Sequence, residues 1–356
     1  MNPFCERLGL AHPIIQAPMA GVSTPALALA VSEAGALGSL AAAALPGAQA
    51  VARQLAELAA ATDRPINVNV FCHQLLAANP AQDAEWLRYL EPFFAALGSA
   101  PPAQLQEIYP SFRADAALLA VLVQARPRVI SFHFGLPTTS QLEALRQTGA
   151  LLLACVTSPS EAQLAAAAGV DVLVAQGVEA GGHRGIFDPA HEPGIPTLEL
   201  TRQLARQGRL PVVAAGGLMD GSDLAAALQA GAVAGQFGTA FVACPESAAS
   251  PAYRAALLHQ PPLPTALTAV ISGRPARGLV NRFVQDIDQP GRPPVAAYSW
   301  AYYASKALVA AAQHAGDPGF AVQWAGDGVG RARALPAAEL VRTLAVELQQ
   351  AIKSGT

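Results

Sequence analysis

The sequence predicts a (β/α)8 TIM barrel with a small additional lid-like domain, and three observations lead there. Short apolar runs alternate with Ala/Leu-rich stretches of helical spacing, which implies a parallel sheet with right-handed crossovers. Eight such units fit within the first 245 residues, a size that suits this barrel. The chain is 52% hydrophobic and only 13% charged, yet its polar and glycine-rich positions gather just past the strand-like runs. The alternation alone also allows a doubly wound sheet.

The first run, Ile14-Ile15-Gln16, leads into Ala17-Pro18-Met19-Ala20-Gly21 and a helix over 25–34. The second, 37–40, precedes a helix over 49–60, and the third, 66–70, sets Asn67 and Asn69 among Ile and Val. Residues 71–128 are the longest irregularity. There Pro80, Pro92, Pro101, Pro102 and Pro110 interrupt helical pieces, because proline lacks a donor and crowds the preceding turn. This stretch reads as an elaborated strand-to-helix connection on the active side, carrying Tyr109. The runs 129–132 and 151–156 precede helices over 141–147 and 160–168. The run 170–174 opens into VAQGVEAGGHRG, and 212–214 and 234–237 complete the eight, with a helix over 222–230 between them. Ser160 and Ser222 read as N-terminal caps, and Gly169 and Gly231 as left-handed C-terminal turns. Past residue 245 the rhythm changes. The expected division is a barrel at 1–248, a Pro/Gly/Arg-rich lid at 249–297, and C-terminal helices at 298–356 that pack back on the barrel, helical over 299–314 and 336–352.

Bulk properties remove several function classes. The net charge of −3 and the lack of a Lys/Arg cluster argue against nucleic acid. No apolar run reaches the roughly 18 residues a membrane span needs. The start, MNPFCERLGLAHP, lacks the basic and apolar regions of a signal peptide. Cys5, Cys72, Cys155 and Cys244 are far apart in apolar surroundings and read as buried thiols, so a cytoplasmic protein is expected. No metal site is expected, because CxxC and His-x3-His spacings are missing. A nicotinamide fingerprint is missing after any early strand; Gly326-Asp327-Gly328-Val329-Gly330 imitates one, too late in the chain.

In a barrel, chemistry sits at the C-terminal strand ends. AAGGLMDGSDL (214–224) and GQFGTAF (235–241) place Gly216, Gly217 and Gly238 after the last two strands, where backbone N–H groups can converge on a phosphate. Tight turns alone would also use these glycines. One phosphate cradle, a few amides and apolar walls suit flavin mononucleotide. Asn69 and Gln176 fit the amide role, since a carboxamide both donates and accepts, although a buried amide can also serve the backbone alone. Met19, Ala20 and Gly21 bring backbone close to the ring. His183, flanked by Gly181-Gly182 and Gly185, is held at a loop tip where a ligand can approach, and reads as catalytic.

QAPMAGVSTPALALAVSEAGALG, VTSPSEA at 156–162, QGVEAGGHRG and AAGGLMDG with GQFGTAF together resemble the nitronate monooxygenase family, formerly called 2-nitropropane dioxygenases. That family comprises FMN-dependent (β/α)8 barrels that oxidise alkyl nitronates with O2. The likeness runs from about residue 5 to about residue 350. ISGRPARGLVNRF at 271–283, YSWAYYASKAL at 298–308 and His133 in SFHFGLP point to the class I type. Flavin enoyl-ACP reductases and NADH:quinone reductases have similar barrels, so NAD(P)H-dependent reduction of a quinone or enoyl thioester is the alternative. One departure is Asp327, where the resemblance leads to glutamine.

Carried over by position, the resemblance implies that Asn69, Gln176, Gly181, Gly217, Gln236, Phe237, Gly238 and Thr239 bind FMN; the residue reading adds Met19, Ala20, Gly182 and Gly216. It implies His183 as the catalytic histidine. Near an ordinary pKa of about 6.5, that histidine would take the α-proton of a neutral nitroalkane. Tyr109, His133, Tyr298, Tyr302 and Lys306 would line the substrate pocket, the last three on one helix face at i, i+4, i+8, with Lys306 attracting the anion. The expected partners are a small-molecule nitronate, propionate 3-nitronate at family level, and O2. The oligomeric state is left open.

Overall fold

The computed structural model describes residues 2–355 except Leu76 and Ala78. In chain order its strands are β1 (Ile14–Gln16), β2 (Gly38–Ala41), β3 (Ile66–Phe71), β4 (Val129–His133), β5 (Leu151–Val156), β6 (Val172–Gln176), β7 (Gly182–His183), β8 (Val212–Ala215), β9 (Ala234–Phe237), β10 (Thr265–Thr268) and β11 (Ala276–Leu279). Eight of them pair in parallel in the order β1-β9-β8-β6-β5-β4-β3-β2. A bridge from Ile15 to Leu37 brings β1 beside β2 and closes the ring. The chain is therefore a TIM barrel, which settles the choice against a doubly wound sheet.

The strands are buried along their length because each is covered on both faces, and most are apolar runs; Ser39 in β2 and Asn67 and Asn69 in β3 are polar exceptions. Alternation then sorts their side chains. Leu151, Leu153 and Cys155 point into the barrel with Val172, Val174, Val213 and Ala215. Leu152, Ala154 and Val156 face the surrounding helices. The N-terminal helix Pro3–Leu8 adds Phe4 and Leu8 to the interior cluster, and Asn2 Nδ2 donates to Val233 O. This helix fills one end of the barrel.

Four local expectations need correction. Ser160 and Ser222 lie inside the first turns of their helices and do not cap them. Pro159 already has the N1 geometry, so Ser158 caps the helix Pro159–Ala167 by accepting from Glu161 N at 3.2 Å. Asp220 caps Gly221–Gln229 in a capping box with Asp223. Pro80 and Pro92 do not break up a helix: Pro80 starts the helix Pro80–Ala95, and Pro92 lies in its last turn, with Ala96 N still bonded to Pro92 O at 3.0 Å. Finally, Tyr298 lies before the helix Trp300–His314, so it shares no helix face with Tyr302 and Lys306.

The segment after the barrel makes an antiparallel ribbon, β10 with β11. That ribbon takes β7 as a third strand, pairing Ala276 with His183 and Arg277 with Gly182. The glycine-rich stretch is thus an anchored strand and not a free loop tip. The helices Pro80–Ala95 and Trp300–His314 pack on one another through Trp86, Leu90, Phe94, Ala301, Ala304 and Leu308. The last helix, Ala337–Ser354, packs Leu340, Leu344 and Leu348 against Leu27, Val31 and Leu224 of the barrel's helical layer.

Candidate active site

The C-terminal mouth of the barrel opens into a cleft of about 990 Å³. Its floor and walls combine strand ends (Asn69, His133, Cys155, Gln176, Gln236), the turn Ala17–Ala20, β7, and an aromatic side made by Tyr109, Tyr298, Tyr302 and Trp324. A second space of about 430 Å³ adjoins it, sharing Gln176, Gly181, Gln236, Gly238 and Thr239, and is otherwise lined by Gly216, Gly217, Leu218, Gly326 and Gly328.

The smaller space has the character of an anion cradle. Among the described residues, none accepts from the backbone N–H of Gly216, Gly217, Gly238 or Thr239. Buried amides are normally paired, so several left open around one space point to an acceptor group that belongs there. A Cβ built on Gly238 would meet only Ala17 Cβ, at 3.7 Å, so a side chain there would grow into the cradle. Gly217 is glycine for another reason. Its φ of +70° is the left-handed region, and an added Cβ would stand 3.2 Å from Glu179 Cβ. Arg331 flanks the rim, bonded to Asp220 at 2.6 Å and to Gly217 O at 3.3 Å. The departure at Asp327 has a structural account: its carboxylate faces away, pairing with Arg277 at 2.8 Å and accepting from Thr265 Oγ1 at 2.6 Å. It thereby ties the cradle's Gly326–Gly328 loop to the ribbon.

The two amides are more committed than expected. Asn69 Nδ2 donates to Ser131 O at 3.1 Å and Ser131 Oγ at 2.9 Å; a carbonyl only accepts, so the amide orientation follows and Oδ1 is left to accept from a ligand. Gln176 Oε1 accepts from Arg184 Nη1 and Gly185 N, and its Nε2 donates to His183 O at 3.0 Å. Gln176 therefore has one N–H left to offer. Arg184, fully buried, also donates to Gln176 O, Gly177 O and both Glu192 oxygens.

His183 is held from three sides. Gln176 Nε2 and His133 Nε2 both donate to its carbonyl, the latter at 3.2 Å. Its ring contacts Ser272 Oγ at 2.8 Å through Nε2. The Ser272 hydroxyl proton already goes to Arg274 O, so Nε2 carries the hydrogen and Nδ1 is left as an acceptor. Burial, then His133 and Arg274, push its pKa down to about 3. Burial likewise lowers His133 to about 4, partly offset by its bond to the His183 carbonyl. The expectation of an ordinary histidine base is overturned: the imidazole is neutral and weakly basic because its environment penalises the imidazolium.

Most of the sequence-nominated residues meet in the two spaces. Met19, Ala20, Asn69, Gln176, Gly181, Gly182, His183, Gln236, Gly238, Thr239, Tyr109, His133, Tyr298 and Tyr302 line the cleft, and Gly216 and Gly217 line the cradle. Two stand apart. Phe237 is fully buried in the core with Ile14 and Leu224, so its ring touches no ligand space. Lys306 opens on a neighbouring cavity, where Nζ donates to Tyr109 Oη at 2.7 Å. The structure adds Trp324, whose ring is 5.1 Å from that of His183, as well as Ser272, Gly326 and Gly328. Ser272 lies within the ISGRPARGL stretch, but its neighbour in space is far away in sequence, so nothing local marks it.

The comparisons with known proteins agree with this geometry. The family model described as nitronate monooxygenase matches residues 2–347. A nitronate monooxygenase of Pseudomonas aeruginosa is 53% identical over 349 residues, covering 97% of this chain and 99% of that protein. The solved nitroalkane oxidase of Streptomyces ansochromogenes superposes with a TM-score of 0.89 at 40% identity, covering 99% of both chains. FabK of Thermotoga maritima is more distant, with a TM-score of 0.75 at 27% identity and 99% and 98% of the chains covered. With a closed barrel, an amide-lined cradle opening into an aromatic cleft, and a family match over almost its whole length, the chain belongs to the nitronate monooxygenase family of oxidoreductase enzymes.

Proposed function

We propose that this enzyme uses bound FMN to oxidise alkyl nitronates with O2, giving a carbonyl compound and nitrite. The observation that carries the reading is the pair of joined spaces: a cradle of open backbone amides leads into a cleft walled by aromatic rings and a neutral histidine. Their donors fit FMN. The N–H groups of Gly216, Gly217, Gly238 and Thr239 would hold the phosphate. Asn69 Oδ1 and Gln176 Nε2 would meet the polar edge of the ring, and the Met19–Ala20 turn would back its face. When bound, the flavin supplies electron exchange between substrate and oxygen.

The rest is done by side chains. Tyr109, Tyr298, Tyr302 and Trp324 enclose the substrate and exclude water, with the segment 249–297 acting as a lid. Tyr298 Oη, with no acceptor among the described residues and its pKa raised by burial, stays protonated and can donate to the nitro group. The neutral ring of His183 forms part of the pocket wall beside Phe134, Tyr298, Tyr302 and Trp324; its Nδ1 can only accept and gives no hydrogen bond to the nitronate. A histidine this weakly basic suits a substrate that arrives as the anion, so the site favours preformed nitronates over nitroalkanes needing deprotonation. Propionate 3-nitronate is the substrate to test first. The four buried free thiols fit the reducing cytoplasm, where we place the enzyme.

The test is anaerobic mixing of the purified protein with ethylnitronate and, separately, with NADH and NADPH. Rapid flavin reduction by the nitronate and none by the nicotinamides is expected. Saturable reduction by NADH alone would replace this reading with the NAD(P)H-dependent reductase alternative.

A further inference from the structure

We propose that Arg274 is the fixed positive charge that makes this cleft take the nitronate anion in preference to the neutral nitroalkane. The inference deepens the functional reading above and rests on it. Arg274 lies in the turn between β10 and β11 and is only 5% exposed. Its guanidinium carbon sits 4.4 Å over the ring of Phe134. On its other sides that ring meets His133 at 4.6 Å, Tyr298 at 5.2 Å and His183 at 5.6 Å between centroids. All three line the cleft. Phe134 and the lining rings it packs against therefore stand between the buried cation and the substrate space.

No carboxylate forms an ion pair with this guanidinium among the described residues. Nη2 donates to Ile186 O, and Nε is buried without any partner among the described residues. The carboxylates that feel the cation are Glu161 and Asp188, and both are bonded elsewhere. Glu161 accepts from Thr157 N, Thr157 Oγ1 and Phe187 N, and Asp188 from Ala190 N and His191. Other nearby cations are poorer sources of a field. Arg184 is paired with Glu192 at 2.8 Å. Lys306 is exposed and opens on the neighbouring cavity. His73, His133 and His183 carry no proton at neutral pH. Burial lowers Arg274 itself to about 10, which still leaves it charged there. The same charge adds to burial in holding His73, His133 and His183 below their ordinary range. One cation thus attracts an anionic substrate and keeps the surrounding imidazoles neutral.

Nitrate is a suitable probe, being a planar anion with the same NO2 outline. Its binding to the flavin-saturated protein is measured by calorimetry, beside competition between nitroethane and ethylnitronate. A unit charge acting over about 8 Å at an effective dielectric of about 20 is worth roughly 30-fold in a binding constant. Arg274→Gln should therefore weaken nitrate binding by about that factor, and Arg274→Lys should restore most of it. Nitroethane should shift less than about twofold. In the unaltered enzyme, nitrate affinity should stay level from about pH 6 to about pH 9, because a guanidinium does not titrate there. A fall through about pH 6.5 would identify a histidine as the charge and overturn the proposal. So would nitrate binding that survives in Arg274→Gln but is lost in Lys306→Met. If Arg274→Gln fails to fold, the pH series and Lys306→Met decide the matter by themselves. If nitrate binds with these dependences while nitronates are not oxidised, the functional reading fails and the role of Arg274 stands.

Discussion

His183 shows how far the environment can move a residue from what its type promises. A glycine-flanked histidine suggests a base, but the ring lies among Phe134, Tyr298, Tyr302 and Trp324, with Arg274 behind it. Two measurements follow. First, kcat/KM for a preformed nitronate should stay flat between about pH 5 and about pH 8, since neither His183 nor His133 gains a proton there; a limb near about pH 6.5 would show an ordinary imidazole. Second, stability should depend on pH through His73, His133 and His183. Their folded pKa values are lowered, to about 4, 4 and 3, whereas the unfolded chain takes up protons near 6.5. The unfolded state therefore binds more protons below that value. The stabilisation is complete above about pH 6.5 and is lost as pH falls toward the folded values, at up to about 1.4 kcal/mol per pH unit for each histidine. Urea titrations at stepped pH read this directly. A stability that does not change between about pH 6.5 and about pH 5 would contradict the buried, neutral state of all three.

At the scale of elements, the cradle is built by turns after β8 and β9, and Gly238 is its most exposed test. Gly238→Leu should leave the barrel folded, because the added Cβ meets only Ala17 at 3.7 Å, while the rest of the side chain would enter the cradle proposed for the phosphate. We expect flavin content on purification to fall to a small fraction of that of the unaltered enzyme, with the far-ultraviolet spectrum unchanged. Full flavin in this variant would mean the phosphate lies elsewhere. These turns are readable in the sequence because strand, Gly-Gly turn and capped helix are contiguous. The barrel strands are readable for a similar reason: burial on both faces favours short apolar-rich runs, even where Ser39, Asn67 and Asn69 interrupt them. The ribbon is not. β7 is the dipeptide Gly182-His183, too short for any pattern, and its partner β11 begins at Ala276. Tyr298 misleads in the opposite way, since its spacing to Tyr302 mimics a helix that begins only at Trp300. Spacing records what a continuous helix would do, and a chain that turns before the helix starts can still deliver the ring to the same wall.

At the scale of the whole molecule, the proposed flavin site joins regions remote along the chain: the turn after β1, the ends of β3, β6, β8 and β9, and the Gly326–Gly328 loop. The last of these is tied to the ribbon through Asp327, Arg277 and Thr265, and to the barrel through Gly326 N and Thr239 Oγ1 at 2.9 Å. A ligand held by all of them binds the native state and not the unfolded chain. Stability should therefore rise with free FMN, by about 2.7 kcal/mol at 100 times Kd. The distribution of that gain is more telling than its size. Hydrogen exchange with and without FMN should show slower exchange appearing together at 216–218, 238–239 and 326–328, because the same phosphate would draw all three toward one point. Protection confined to the turns after β8 and β9 would leave the late glycine loop as packing only. The Asp327 link sharpens the comparison. Asp327→Ala removes a half-exposed ion pair worth about 1 kcal/mol or less. FMN affinity should drop by no more than about fivefold, with the lost protection falling at 326–328 and sparing 216–218. An unchanged affinity and exchange pattern would show that the loop keeps its place without the ribbon.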